Sequence, residues 1–246
     1  MQNKTQERIY FDRFTSTQSW HTFTKKTYSR IAQHFLKLDP KKNDRIIDMG
    51  CGTGELTKEI HNLSFKNISG YDISRNCILM AKKKYSDMDF KVKDIENTEL
   101  KDSSVDFLFY SGILHHFTDT KNVIKEAKRI LKKNGKAFVF EPNACNPVLW
   151  LFRNKKSPFK SENLKTPNEE FLTKDQIKYA FEKENFRTIK IGCISGISYT
   201  KEYFQRLFPF PFFYVVHAYN LFDAILGITP LRKEHGSFIY GYFEKN

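Results

Sequence analysis

Along residues 22–38, Phe23, Tyr28, Ile31, Phe35 and Leu38 recur at helical spacing, and Asp39-Pro40 stops the predicted helix before a short basic loop. A short apolar run at 45–48 then enters a glycine-rich turn. The same alternation continues through a helix near 55–63, a strand near 67–71, a helix near 75–85 and a strand near 89–93. It ends with a strand at 105–110, a helix at 119–132 and a strand at 136–141. Strands that alternate with helices predict a parallel, doubly wound sheet.

Beyond Pro142 the pattern breaks. Residues 144–170 hold Pro147, Pro158 and Pro167 with the basic-aromatic residues Trp150, Phe152, Arg153, Lys155, Lys156, Phe159 and Lys160, which predicts an insertion on the sheet's edge. A helix over 173–184, capped by Thr173, leads to a strand at Phe186–Ile194, and an alternating strand at 237–244 closes the chain. Between these last strands lies a stretch, 199–231, rich in Phe, Tyr, Leu and Val. There is no internal repeat and no low-complexity tail.

A chain of 246 residues, 40% hydrophobic, can bury a substantial core as one domain, and this composition excludes collagen, disorder and disulfide scaffolds. A mean hydropathy of −0.56 argues against an integral membrane protein. The longest uncharged apolar run, between Arg206 and Asp223, is interrupted by Pro209, Pro211 and His217 and falls short of the roughly 18 residues a spanning helix needs. Cys51, Cys77, Cys145 and Cys193 form no CxxC pair, and the N-terminus has no apolar signal region, so a cytoplasmic setting is expected. The net charge of +13 reads either as scattered solvated lysines or as a surface for an anionic partner: a phosphorylated substrate, a membrane or RNA.

The chemistry centres on Asp48-Met49-Gly50-Cys51-Gly52-Thr53-Gly54, after a predicted strand and before a predicted helix. Glycines there let the backbone pass beneath a ligand while the helix start offers free amides. Glu55 stands where a dinucleotide fingerprint has its third glycine, which with Asp48 disfavours a pyrophosphate. The next two strands also end in acids: Gly70-Tyr71-Asp72, where Asp72 can accept both hydroxyls of a ribose, and Lys93-Asp94-Ile95, where Asp94 can accept an exocyclic amine and Ile95 can cover a ring. Taken singly, each Asp also reads as a turn or helix cap.

These segments, together with 105–112 and 131–138, resemble in order the class I S-adenosylmethionine-dependent methyltransferase family over roughly residues 45–143. The resemblance implies a Rossmann-like, doubly wound α/β fold with a seven-stranded mixed sheet, the last strand antiparallel, and insertions at 144–175 and 199–234 forming a helical and aromatic substrate lid. It implies S-adenosylmethionine as cofactor, held by Asp48, Gly50, Cys51, Gly52, Asp72, Ile73, Asp94, Ile95 and Ser111, with Asp48 near the amino group.

Ile113-Leu114-His115-His116-Phe117 resembles a stretch common in the small-molecule and lipid members of that family. His116 is the candidate that orients a substrate or accepts its proton, and His115 a candidate substrate contact whose alternative is packing. The side chains of adjacent histidines are expected to diverge, a poor arrangement for two metal ligands, and no HExxH occurs. Glu141 and Asn143 stand at the end of the fifth strand as a second catalytic candidate and a substrate-binding candidate, with a cap as the alternative for Asn143. Tyr10 and Trp20 are candidates for closing the cleft. Methyl transfer asks mainly for proximity and desolvation, so a strongly marked catalytic residue is not required.

Ser111-Gly112-Ile113-Leu114 lacks the acid or Asn with Pro-Pro-aromatic of exocyclic-amine methyltransferases, and Cys145 lacks the Pro-Cys context of cytosine chemistry. An aromatic segment at 203–214 beside Arg153, Lys155, Lys156 and Lys160 suits a small or amphiphilic substrate, a lipid, an isoprenoid or a carrier-linked intermediate, with peripheral membrane contact. Core and a homodimer face are the other readings of that segment. RNA or protein methylation, and an inactive cofactor-binding partner subunit, remain as alternatives.

Overall fold

The computed structural model describes residues 3–15, 22–154, 156–158, 166, 168–202 and 215–246. Its sheet runs through β1 (Ile46–Met49), β2 (Ile68–Asp72), β3 (Asp89–Val92), β4 (Val105–Ser111), β5 (Leu131–Pro142), β6 (Phe186–Ile194) and β7 (Phe238–Lys245). The seven strands lie in the order β3-β2-β1-β4-β5-β7-β6. β7 is antiparallel to both of its neighbours, and the remaining pairings are parallel. All four residues of β1 are buried, as a central parallel strand covered on both faces requires, while β3 at the edge buries only Phe90.

Helices α2 (Lys25–Leu36), α3 (Glu55–Asn62), α4 (Arg75–Lys84), α5 (Lys121–Ile130) and α7 (Lys174–Lys183) flank the sheet. Alternation along the strands feeds two cores. Phe107, Phe109, Phe138 and Phe140 point to one face, against Ile31 and Phe35 of α2 and Leu56 and Ile60 of α3. Leu108, Tyr110, Ala137 and Val139 point to the other, against Val123, Ile124 and Ala127 of α5 and Ile177 and Phe181 of α7. Each fully buried Phe, Leu or Ile contributes about 1.5–3 kcal/mol, so every strand is committed to its register. α7 begins with a capping box in which Thr173 and Gln176 satisfy each other's backbone amides.

Helix α1 (Lys4–Thr15) stands where no regular element was expected, while α6 (Pro147–Arg153), α8 (Val215–Ile228) and α9 (Arg232–His235) lie within the two insertions expected to form a helical lid. In α6 the proline that read as a breaker occupies the first turn, where its missing N–H costs nothing, and Asn146 caps the amides of Val148 and Leu149. The described part of 144–170 is not a decoration of the sheet's outer edge: Val148, Leu149, Phe152, Arg153, Thr166 and Glu169 reach into a cavity above the carboxyl ends of the strands. Trp20, Lys155, Lys160 and the aromatic segment 203–214 lie outside the described residues. Among the described residues no helix is long and apolar enough to cross a membrane.

Candidate active site

Sheet order reverses between β1 and β4, and in an open α/β sheet a ligand crevice forms outside the carboxyl ends at that point. The turn leaving β1 is built on three left-handed glycines, Gly50 (φ 78°), Gly52 (φ 54°) and Gly54 (φ 86°). The backbone amides of Gly50 and Cys51 donate to the Tyr71 carbonyl at 2.7 and 3.0 Å, and that of Gly52 donates to Asp72 Oδ2 at 2.9 Å. A Cβ at Gly50 would lie 2.5 Å from Ile113 Cγ1, whereas at Gly52 it would meet nothing within 4 Å. The first glycine is thus required by close packing, and the second leaves open space beside the turn.

Three carboxylates ring that space. Asp72 also accepts the Ser74 amide through Oδ1 at 2.8 Å, and its burial raises its pKa. Asp48 is buried and accepts the Thr57 hydroxyl at 2.6 Å; desolvation, with the charges of Asp72 and Glu55, pushes its carboxyl up to about 7. Asp94 accepts the Glu96 amide through Oδ1 at 2.9 Å and Lys4 Nζ through Oδ2 at 2.7 Å. Gly50, Cys51, Gly52, Ile73, Ile95 and Ser111 line the same cavity as these acids.

The cavity continues past a single 3-10 turn, Leu114–His116. Glu141, fully buried, accepts the amides of Ile113 and Leu114 at 2.8 Å each and holds His115 Nδ1 at 2.6 Å. It therefore sits behind the cavity wall and positions His115, and is not among the lining residues as its candidacy for catalysis required. His115 and His116 do not diverge: their ring centroids lie 4.1 Å apart with the planes tilted at 39°, because the tight turn and the two separate anchors hold the rings side by side. His116 Nδ1 lies 2.9 Å from Thr166 Oγ1 and 3.6 Å from Glu7 Oε2, and the ring meets Phe11 edge-on at 5.2 Å. Burial, together with neighbouring His115, lowers the His116 pKa, so the ring is neutral at pH 7.

Two further expectations change place. Asn143 does not line the cavity; its amide donates to the carbonyls of Glu234 and Gly236 at 2.8 Å each while its oxygen takes the Cys145 amide, tying the end of β5 to the loop before β7. Arg153 lines the cavity but is not presented to lipid headgroups: it is buried in an ion pair with Glu169, its Nε 3.0 Å from Glu169 Oε1. Tyr10 lines the cavity.

The residues that motif reading missed come mostly from α1, which crosses the cleft. Asp12 accepts the Ser74 hydroxyl at 2.7 Å and the Asn76 amide at 3.1 Å, Glu7 accepts the Asn168 amide at 2.7 Å, and Lys4 reaches Asp94 and Glu96. Lys4, Glu7 and Asp12 belong to no motif, and their partners lie 62 to 161 positions away in the chain. Only the acidic and basic spacing along the helix could have drawn attention to them.

The site fits S-adenosylmethionine on two observations: the open space beside Gly52, and the buried, solvent-stripped Asp48 carboxyl, which a cationic amino group would return to its ionised form. The methyltransferase-domain family model matches residues 47–139. The demethylmenaquinone methyltransferase of Chlorobaculum tepidum is 29% identical over 124 residues, 48% of this chain and 51% of the relative. Residues 47–139 are a methyltransferase domain of the class I, S-adenosylmethionine-dependent kind. A ubiquinone/menaquinone biosynthesis C-methyltransferase of Campylobacter jejuni is 29% identical over 118 residues, 46% of this chain and 50% of the relative. The chain thus spans about half the length of the curated relatives it matches. The crystal structure of an S-adenosylmethionine-dependent methyltransferase from Archaeoglobus fulgidus superposes with a TM-score of 0.62 at 15% identity, covering 90% of this chain and 95% of that one, which shows the shared fold.

Proposed function

We propose that this methyltransferase carries the methyl group of S-adenosylmethionine to an acceptor carbon, oxygen or nitrogen of a small amphiphilic molecule of the quinone type, releasing S-adenosylhomocysteine. The observation that carries the reading is one continuous cavity in which the glycine turn and three acid-tipped strands share walls with an aromatic chamber of Phe23, Phe152, Phe171, Tyr199, Tyr219 and Phe238. A flat ring with an apolar tail suits such walls. The relatives named for demethylmenaquinone and for ubiquinone/menaquinone support a quinone headgroup.

When bound, the cofactor supplies an electrophilic methyl on a sulfonium. Asp48 would pair with its amino group, Asp72 would accept the ribose hydroxyls, Asp94 would accept the adenine amine through lone pairs that Lys4 and Glu96 leave open, and Ile95 would cover the ring. Ile73 and Ser111 complete the walls. His116 acts on the acceptor: with the Nδ1 proton assigned toward Thr166 and Glu7, the lone pair is on Nε2. Nε2 would take the proton of an acceptor hydroxyl, leaving the electron pair on that oxygen or, by conjugation, on the adjacent ring carbon as the nucleophile. Burial of the chamber keeps water from competing. The insertions at 144–175 and 199–234 act as the acceptor lid of a single domain.

The test is incubation of the full chain with S-adenosylmethionine and a reduced demethylnaphthoquinone bearing an isoprenoid chain, read by mass spectrometry. A gain of one methylene, lost in His116→Ala, is expected. Cofactor binding without turnover on quinols, phenols or lipid extracts would contradict the reading and favour an inactive partner subunit.

A further inference from the structure

Helix α8 has two unlike faces. Val216, Tyr219, Asp223 and Leu226 are buried against the sheet, and Asp223 Oδ2 takes the amides of Gly196 and Ile197 at 2.7 and 2.9 Å and the Ser237 hydroxyl at 2.9 Å. That buried carboxylate fixes the rotation of the helix, since turning it would strand both the charge and two backbone amides. The opposite face carries Leu221, Phe222, Ile225 and Ile228, continued by Leu231, all between 42% and 86% exposed. Asp223 is the sole charged side chain of the helix, so the outer face presents none. Five large exposed apolar side chains on one helix and its following turn are unlike a solvated surface.

Beside this stripe lies a groove whose walls include Ala224, Gly227 and Ile228 on one side and the cations Lys26, Arg30, Lys37, Arg232 and Lys233 on the others. Lys26, Lys37, Arg232 and Lys233 are exposed. Glu234 is the one acid of the groove and is neutralised by Lys174 at 2.6 Å. An apolar helix face lying in a surface plane and flanked by cations is the chemistry that binds an anionic bilayer. It is poorly suited to a second copy of this chain, which would bring like cations together around the apolar contact.

We propose that the outer face of α8, with the cations of α2 and α9, docks the protein onto an anionic membrane surface. Tyr219, on the inner face of the same helix, lines the active-site cavity. The helix that rests on the bilayer is thus also a wall of the acceptor chamber, which gives an amphiphilic acceptor a short path from lipid. The docking stands on surface chemistry and is measured without cofactor or turnover, so its failure and that of the methyl-transfer reading are separate results.

The experiment is flotation of the full chain with vesicles of phosphatidylcholine alone and of phosphatidylcholine containing phosphatidylglycerol. At least about tenfold stronger binding to the anionic vesicles is expected, weakening as salt rises, because the cations are attracted to the negative surface and screened by salt. Ile225→Ser with Ile228→Ser should lower binding at least about tenfold, with melting temperature and S-adenosylhomocysteine affinity unchanged. The charge reversals Lys26→Glu, Lys37→Glu and Lys233→Glu, all at exposed positions, should do the same independently if the serine pair fails to fold. Equal binding to both vesicle types, no binding, or variants that bind as the parent does would overturn the proposal. So would a dimer in sedimentation that the serine pair dissolves, since the face would then belong to a second copy.

Discussion

Asp48, Asp72 and Asp94 reach the cavity from the tips of three adjacent strands, each a few residues from the glycine or apolar run that places it. Glu7, His116, Thr166 and Tyr219 reach the same cavity from four segments spread over most of the chain. In the first group the backbone determines function: a strand must end at the crevice, and the turn must have glycine where φ is positive. In the second, function rests on side chains meeting across loops, and the same task can be met by other residues elsewhere in a chain. The proposed cofactor half is therefore written as local motifs and the proposed acceptor half as long-range packing.

The comparison is broken most strongly at His116. Changing it to Ala should lower the rate of methyl transfer about a thousandfold while S-adenosylhomocysteine binds as before, measured by single-turnover kinetics beside calorimetry. If affinity falls with rate, the two halves are not separable as described.

The cofactor half should respond next. Gly50→Ala sets a Cβ against Ile113 at a positive φ, and should cost about 3 kcal/mol in denaturant unfolding, roughly a hundredfold in the folding equilibrium. Gly52→Ala should cost only the backbone term, about 1–2 kcal/mol, yet weaken cofactor binding by intruding on the open space beside the turn.

A smaller effect follows from Asp48, whose carboxyl is pushed up to about 7. Its ionised form is the one a cationic amino group prefers, so cofactor affinity should rise about tenfold from pH 6 to pH 8. The free protein should show the reverse trend from this group. Because the folded pKa lies above the unfolded value of 3.8, the contribution to stability is lost as pH rises from about 4 toward 7. Calorimetric titrations and thermal melts across that range check both signs. In Asp48→Asn both slopes should flatten.

The smallest effect belongs to Glu7→Gln. This exchange keeps the shape but removes the charge 3.6 Å from His116 Nδ1, and should slow transfer by a factor of about 3 to 10 while lowering the apparent pKa of the acid limb of the rate profile. A loss of rate with no displacement of that limb would mean that Glu7 serves only to hold the Asn168 loop.

These contrasts match what could be read from residues alone. The strand Phe186–Ile194 lies as expected because it follows a helix capped by Thr173 and Gln176, both local signals. The three acid tips likewise follow from short segments, whereas the antiparallel last strand is what the family resemblance implied. The bounds and faces of α8 escaped because a nearly uniform apolar stretch has no visible period; the two faces are distinguished by what the sheet covers, with Tyr219 and Asp223 inside and Leu221 and Ile225 outside. α1 escaped for the opposite reason, since its apolar residues Tyr10 and Phe11 face a cavity and leave no core stripe. Glu141 and Asn143 read as site residues because strand ends usually carry them, yet both satisfy backbone groups of neighbouring loops.

The central claim, that the three acid-tipped strands hold the cofactor, is tested most directly by isothermal titration with S-adenosylhomocysteine, with NAD as the control ligand and Asp72→Ala as the second protein. The account predicts one saturable site for S-adenosylhomocysteine, no binding of NAD, and affinity lowered at least about a hundredfold in the folded variant, the scale of losing a buried carboxylate's paired hydrogen bonds. Equal affinity in Asp72→Ala, or no binding by the well-folded parent, would contradict it.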